Sequence, residues 1–169
     1  MRKQKGFSLI ELLIVVAIIL IIAAIAIPNL LRARMAANES SAASSVRTVN
    51  TAQVTYQSTY PTTGYAATLL ALGGPIGAAC VPAIATACLI DSVLANNGNP
   101  AGTGKSGYLF AGASANAGSS YYVQGNPIVV GQTGNRSFCS FADAVVRVDP
   151  TGAVIAGMAA CQALNPLNQ

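Results

Sequence analysis

Residues 6–28 read GFSLIELLIVVAIILIIAAIAIP. From Phe7 to Ile27 the run is apolar, and aliphatic after Phe7, apart from Ser8 and a single carboxylate, Glu11, and it stops at Pro28. About 21 residues at ~1.5 Å rise per residue are enough to cross a bilayer as a helix. Just before it stand three basic residues, Arg2, Lys3 and Lys5. That outline also fits a secretory signal, and Ala24-Ile25-Ala26 offers a small-residue cleavage site. A plain membrane anchor fits the length equally well, with the basic end on the cytoplasmic side. Neither reading uses Glu11. A charged group in hydrocarbon costs roughly 2.5–3.5 kcal/mol even on the mildest scale. An acid in this position needs a partner, unless it merely reaches out to the membrane interface.

The remaining composition narrows the function classes. The chain has 169 residues, room for one ordinary domain beside the apolar segment. Charged residues make up 8% and the net charge is +4, of which the leader supplies three charges. No basic face for nucleic acid is visible, and Lys105, Arg136 and Arg147 alone give nucleic acid thin support as a partner. Histidine is absent, so the commonest general base and metal ligand is missing. Gly104-Lys105-Ser106 resembles the end of a phosphate-binding loop, but Asn99 stands where its first glycine belongs. No catalytic residue, metal site or cofactor is expected. Asp149, before Pro150, reads as a turn residue. Asn38-Glu39-Ser40 and Asn135-Arg136-Ser137 match the glycosylation sequon, a weak signal alone. Cys80, Cys88, Cys139 and Cys161 lie downstream of an export-type segment, which points to disulfides outside the cytoplasm.

Lys5-Gly6-Phe7-Ser8-Leu9-Ile10-Glu11 resembles the processing site of type IV prepilins and the related pseudopilins of type II secretion. The resemblance implies cleavage between Gly6 and Phe7 by a prepilin peptidase, and N-methylation of the new terminus at Phe7. It implies that Glu11 and Pro28 serve assembly, Pro28 standing where the family usually has a proline. Once freed, the Phe7 amine is a cation, and Glu11 follows it by one helical turn. If copies stack with an axial offset, the amine of one meets Glu11 of the next, and that pair selects the register. In the family a stretch before the proline is often unwound with the help of a glycine. Here that position is Leu20, and no glycine lies between Phe7 and Arg34.

Beyond Pro28 the helix is expected to run on to Tyr60, about 54 residues in all. Ala42, Val46, Val49, Gln53, Tyr56 and Tyr60 recur at helical spacing, an apolar stripe broken only by Gln53. Tyr60-Pro61 and Gly64 end it. A loop to about Asn99 follows, with a short helix or turn over Tyr65–Leu72. Four short strands are expected at 107–111, 120–124, 141–148 and 153–156, an antiparallel meander covering the stripe. The fold class is α+β: a long N-terminal helix packed on a small antiparallel sheet. The segments are a leader (1–6), the long helix (7–60, with 7–27 as membrane span or fibre core) and a head (61–169). The close spacing of Cys80 and Cys88 favours their pairing. The C-terminal disulfide loop common in pilins implies Cys139 with Cys161, although four cysteines allow three connectivities.

The expected function is that of a pilus subunit. The precursor sits in the inner membrane with its head periplasmic, and the mature form is an extracellular homo-oligomeric helical filament. The partners implied are the prepilin peptidase and the inner-membrane pilus assembly machinery. The alternatives are a major pseudopilin, or a minor pilin or membrane-anchored binding subunit. Pseudopilins of the major type usually carry an acidic calcium loop, and this head is poor in acids.

Overall fold

The computed structural model describes residues 7–115 and 117–167. They fall into two compact units divided between Arg34 and Met35. Helix α1 spans Leu9–Thr59. In the first unit its aliphatic side chains are exposed all round, from Leu9 at 73% to Leu31 at 53%. Pro28 lies inside the helix, and the helical assignment continues through it. The proline removes one amide donor and so one rung of the hydrogen-bond ladder. The helix nevertheless continues unbroken past this point.

In the second unit α1 is amphipathic. Ala42, Val46, Val49, Gln53 and Tyr56 are buried as the stripe required. Gln53 does not weaken the stripe, because its amide makes a two-way clasp with one backbone unit. Nε2 donates to the Ala66 carbonyl at 3.2 Å, and Oε1 accepts from the Ala66 N–H at 2.8 Å. This clasp folds the chain back on the helix it has just left. At the exit the Gly64 N–H donates to the Tyr60 carbonyl. Gly64 has φ +77°, and a Cβ there would stand 2.3 Å from the Gly118 carbonyl oxygen. Only glycine fits that approach. The other side of α1 is exposed and carries hydroxyls that bond back four residues: Thr48 to the Ser44 carbonyl, Thr51 to Arg47, Thr55 to Thr51, Ser58 to Val54 and Thr59 to Thr55.

Two short helices follow, α2 (Leu69–Leu72) and α3 (Ser92–Ala95), capped by Thr68 and Asp91. The strands are β1 (Tyr108–Ala115), β2 (Ser120–Pro127), β3 (Ser137–Phe141) and β4 (Arg147–Asp149), and α4 covers Met158–Gln162. The sheet is an antiparallel meander in the order β1-β2-β3-β4. Tyr108 and Phe110 of β1, Tyr121 and Val123 of β2 and Phe138 of β3 point to the core, where they join the α1 stripe with Leu72 and Leu94.

Two strand expectations need correction. The run at 141–148 is not one strand: β3 ends at Phe141 and β4 begins at Arg147. Asp143 turns the chain between them. Its Oδ1 accepts the Val145 N–H at 3.0 Å, an aspartate turn that breaks an otherwise strand-like run. The stretch 153–156 is not a strand either. The C-terminal tail takes that place beside β4, with the Val148 N–H donating to the Asn165 carbonyl and Arg147 bridging to Pro166. Asp149 is the turn residue expected, its Oδ1 accepting from the Thr151 N–H and hydroxyl.

Both disulfides form, Cys80–Cys88 and Cys139–Cys161. The second joins β3 to α4 in a small cluster with buried Ile155. Closing a loop of this size contributes roughly 3 kcal/mol in the chain-entropy account.

One polar residue holds the helix to the sheet. Asn50 is buried at 5% exposure. Its Nδ2 donates to Ser140 Oγ at 2.9 Å and to the Ala144 carbonyl at 3.2 Å, and its Oδ1 accepts from Tyr121 Oη at 3.1 Å. Replacing it strands several buried polar atoms at once, each costing about 1–3 kcal/mol. Asn50→Ala is therefore expected to lower the unfolding free energy by about 2 kcal/mol or more, read from denaturant melts of the protein in detergent. An unchanged midpoint would remove Asn50 from this role.

Candidate assembly interface

The feature that sets this chain apart from an ordinary small domain is its first unit. It is a helix whose large side chains have nothing to cover them, and it is the one helix among the described residues long and apolar enough to cross a membrane. Its start is built from Ser8 and Glu11. Ser8 precedes the first helical residue, and its carbonyl accepts the Leu12 N–H at 3.2 Å. Glu11 Oε2 reaches back to the Ser8 N–H at 2.9 Å. Ser8-Leu9-Ile10-Glu11 is thus one half of a capping box, the carboxylate satisfying an amide that the helix leaves open. The sequence carries this signal as serine and glutamate three apart ahead of an apolar run. Among the described residues no cation pairs with Glu11. The carboxylate is favourably placed against the helix dipole.

Phe7 is described and is 85% exposed. Gly6, on the other side of the expected cleavage point, lies outside the described residues, as does the rest of the 1–6 leader. Arg32 and Arg34 follow the apolar run and are exposed. Among the described residues neither makes an ion pair.

The second unit supplies a junction that the sequence did not disclose. Glu39 is buried at 7% exposure. It accepts the Asn135 N–H at 2.8 Å and Arg136 Nε at 2.7 Å, and Arg136 Nη2 also lies 2.7 Å from its carboxylate. Beside it Asn38 Nδ2 donates to the Thr133 carbonyl at 2.9 Å. Tyr108 Oη donates to the Arg136 carbonyl at 2.8 Å. Burial raises the Tyr108 hydroxyl well above its ordinary pKa, and the nearby Glu39 charge adds to the rise. The two sequon asparagines are therefore drawn together in one structural junction. The available clue was position: Glu39 stands three residues before Ala42, on the buried stripe.

The first 27 residues match the family model described as the prokaryotic N-terminal methylation motif. The chain opens with that motif. Two relatives extend the similarity. The type IV wide pilus major component PilA4 of Thermus thermophilus is 69% identical over 39 residues, which is 23% of this chain and 30% of that protein. The type IV major pilin protein PilA of Myxococcus xanthus is 46% identical over 54 residues, 32% of this chain and 24% of that protein. The similarity thus covers less than a third of either relative's length. No solved structure matches the chain at a significant level. The α+β architecture, a long N-terminal helix on a four-stranded antiparallel sheet, is the pilin-like one expected.

Removing the Glu39 carboxylate should free the segment it holds. In Glu39→Ala the Asn135 amide is expected to exchange its hydrogen about tenfold faster or more, in line with a loss of about 1.5–3 kcal/mol for bonds to a charged group. Hydrogen-exchange mass spectrometry of the peptide around Asn135 reads it, and equal rates would refute the junction.

Proposed function

We propose that this chain is the structural subunit of a type IV pilus. The observation that carries the proposal is the methylation motif at residues 1–27, set directly on an apolar helix that has no cover of its own. In this reading residues 1–6 are the leader, 7–60 the assembly helix and 61–169 the head. Before processing, the helix anchors the precursor in the inner membrane with the head on the periplasmic side. A prepilin peptidase cuts between Gly6 and Phe7, and Phe7 is methylated.

Assembly then moves the helix from lipid into a bundle of other copies. Lipid tails are as apolar as leucine, so this transfer changes apolar burial little. Packing and polar contacts must select the register. Glu11 is the polar group available. It caps its own helix through Ser8, and the freed amine of a neighbouring Phe7 adds the cation that a carboxylate in an apolar setting requires. The contact is heterologous, so it propagates as an open helical filament. The inner-membrane assembly machinery supplies the energy, and the chain's own role is structural rather than catalytic. Both relatives are named as pilus subunits, which supports a pilus over a secretion pseudopilin.

Two variants test the reading. Gly6→Val is expected to keep the leader, so the membrane-extracted subunit retains the mass of residues 1–6 and no filament is sheared from the cells. Processing at the same bond in that variant would overturn the cleavage assignment. Glu11→Val is expected to insert in the membrane at normal levels yet yield few or no filaments by electron microscopy. Normal filament yield would remove Glu11 from assembly.

A further inference from the structure

The second unit carries four acids, Glu39, Asp91, Asp143 and Asp149, and four bases, Arg47, Lys105, Arg136 and Arg147. Three ion pairs use six of these side chains: Lys105 with Asp91 at 2.8 Å, Arg136 with Glu39 at 2.7 Å and Arg147 with Asp143 at 2.7 Å. One cation, Arg47, and one anion, Asp149, are left over. They do not pair with each other, and neither has an ion partner among the described residues.

The two sites have complementary surroundings. Arg47 stands at a cavity of about 270 Å³ whose other walls are Ala144, Val145, Val146, Pro166 and Leu167. The Leu167 N–H donates to the Val146 carbonyl at 2.9 Å and the Val148 N–H to the Asn165 carbonyl at 3.1 Å, so the tail wall is fixed against the β3–β4 connection. The guanidinium is the one charged group on otherwise apolar walls. Asp149 opens the turn Asp149-Pro150-Thr151-Gly152. Its Oδ1 accepts the Thr151 N–H at 2.9 Å and the Thr151 hydroxyl at 2.8 Å, which fixes the carboxylate and leaves Oδ2 without a partner among the described residues. Pro150 beside it is exposed. The turn offers an oriented carboxylate next to an apolar ring, and the cavity offers a cation next to apolar walls.

We propose that the Arg47 cavity of one copy receives the Asp149-Pro150 turn of a second copy, with Asp149 Oδ2 meeting the Arg47 guanidinium. The inference rests on the reading that the chain assembles into a filament, and it names a contact between heads. The partner follows from charge: each copy carries one unanswered cation and one unanswered anion, so copies of this chain answer each other without remainder. The contact joins different residues on its two sides. It is therefore heterologous, leaving a free turn at one end and a free cavity at the other, which is the condition for open growth. An oriented carboxylate also loses little freedom on docking, which favours the contact.

The four native cysteines are all disulfide-bonded, so introduced thiols report alone. The full-length chain carrying both Arg47→Cys and Asp149→Cys is expressed in place of the parent chain. Sheared filaments are oxidised with copper-phenanthroline and run without reductant. The expected result is a ladder of covalent multimers, because each copy gives one thiol to each of two neighbours. Arg47→Cys alone and Asp149→Cys alone should stay monomeric. Filaments that are visible by electron microscopy yet give no ladder, or only an internally bridged monomer, overturn the interface and leave the pilus reading standing. A ladder from Arg34→Cys with Asp149→Cys in its place assigns Asp149 to another cation and overturns it as well. If the parent chain forms no filaments, the pilus reading fails and takes the interface with it. Charge is tested separately. Arg47→Glu is expected to lower filament yield about tenfold or more, since like charges facing each other oppose a contact. Adding Asp149→Asn keeps Oδ1 as the turn acceptor while removing the facing charge, and most of the yield should return. Absence of that rescue would remove Asp149 from the contact.

Discussion

The structure depends on one constraint: a continuous helix must satisfy two unlike surroundings. In the first unit α1 offers aliphatic side chains on every side and cannot rest in water. In the second it offers a single buried stripe and a hydroxyl-bearing opposite side. The sheet and the short helices α2 and α3 cover that stripe. The core is thin, with valines and alanines on the helix meeting aromatic rings from the sheet. Small residues on α1 let the rings of Tyr108, Tyr121 and Phe138 approach closely, which recovers buried area from few residues. Two buried amides, on Asn50 and Gln53, then choose one alignment of helix, sheet and following chain among those that apolar contact alone would tolerate.

How much of this was readable in the sequence follows from what each signal depends on. The apolar run and the stripe from Ala42 to Tyr56 depend on periodicity, which survives without knowledge of tertiary partners. The helix end depends on Pro61 and Gly64, and it falls within a residue of the expected place. The sheet was legible as a meander but not in its second half. There an apolar run conceals a turn that only the Asp143 side chain makes, and the strand place expected for 153–156 belongs to a tail with no strand pattern of its own. Glu39 and Asn50 escaped because a polar residue on a buried stripe declares itself only when its partner is known. Those partners lie 97 and 90 residues away in Arg136 and Ser140.

The start of α1 teaches a different lesson. Ser8 and Glu11 form a local cap readable from spacing alone, yet the same acid invites an intermolecular role. The two roles are compatible. A carboxylate has two oxygens and room for several donors, so an amide of its own chain and a cation from another can share it. The cap also orients the carboxylate before any partner arrives, which reduces the ordering cost of meeting one.

The exposed hydroxyl side of α1 carries a further consequence. Thr48, Thr51, Thr55, Ser58 and Thr59 each give their proton to a carbonyl of their own helix. Seen from outside, these five hydroxyls are chemically quieter than composition suggests, because their protons already have acceptors and threonine adds methyl groups. Hydroxyls satisfied in this way impose little angular preference on whatever lies against them, and the exposed Ser44 and Arg47 beside them are left as the directional contacts. Neighbours at such a surface can roll and slide by small amounts without breaking a bond, so the strip acts as a bearing rather than a lock. If the subunit assembles as proposed, compliance under bending comes from here, and the fixed points lie where charge and burial coincide.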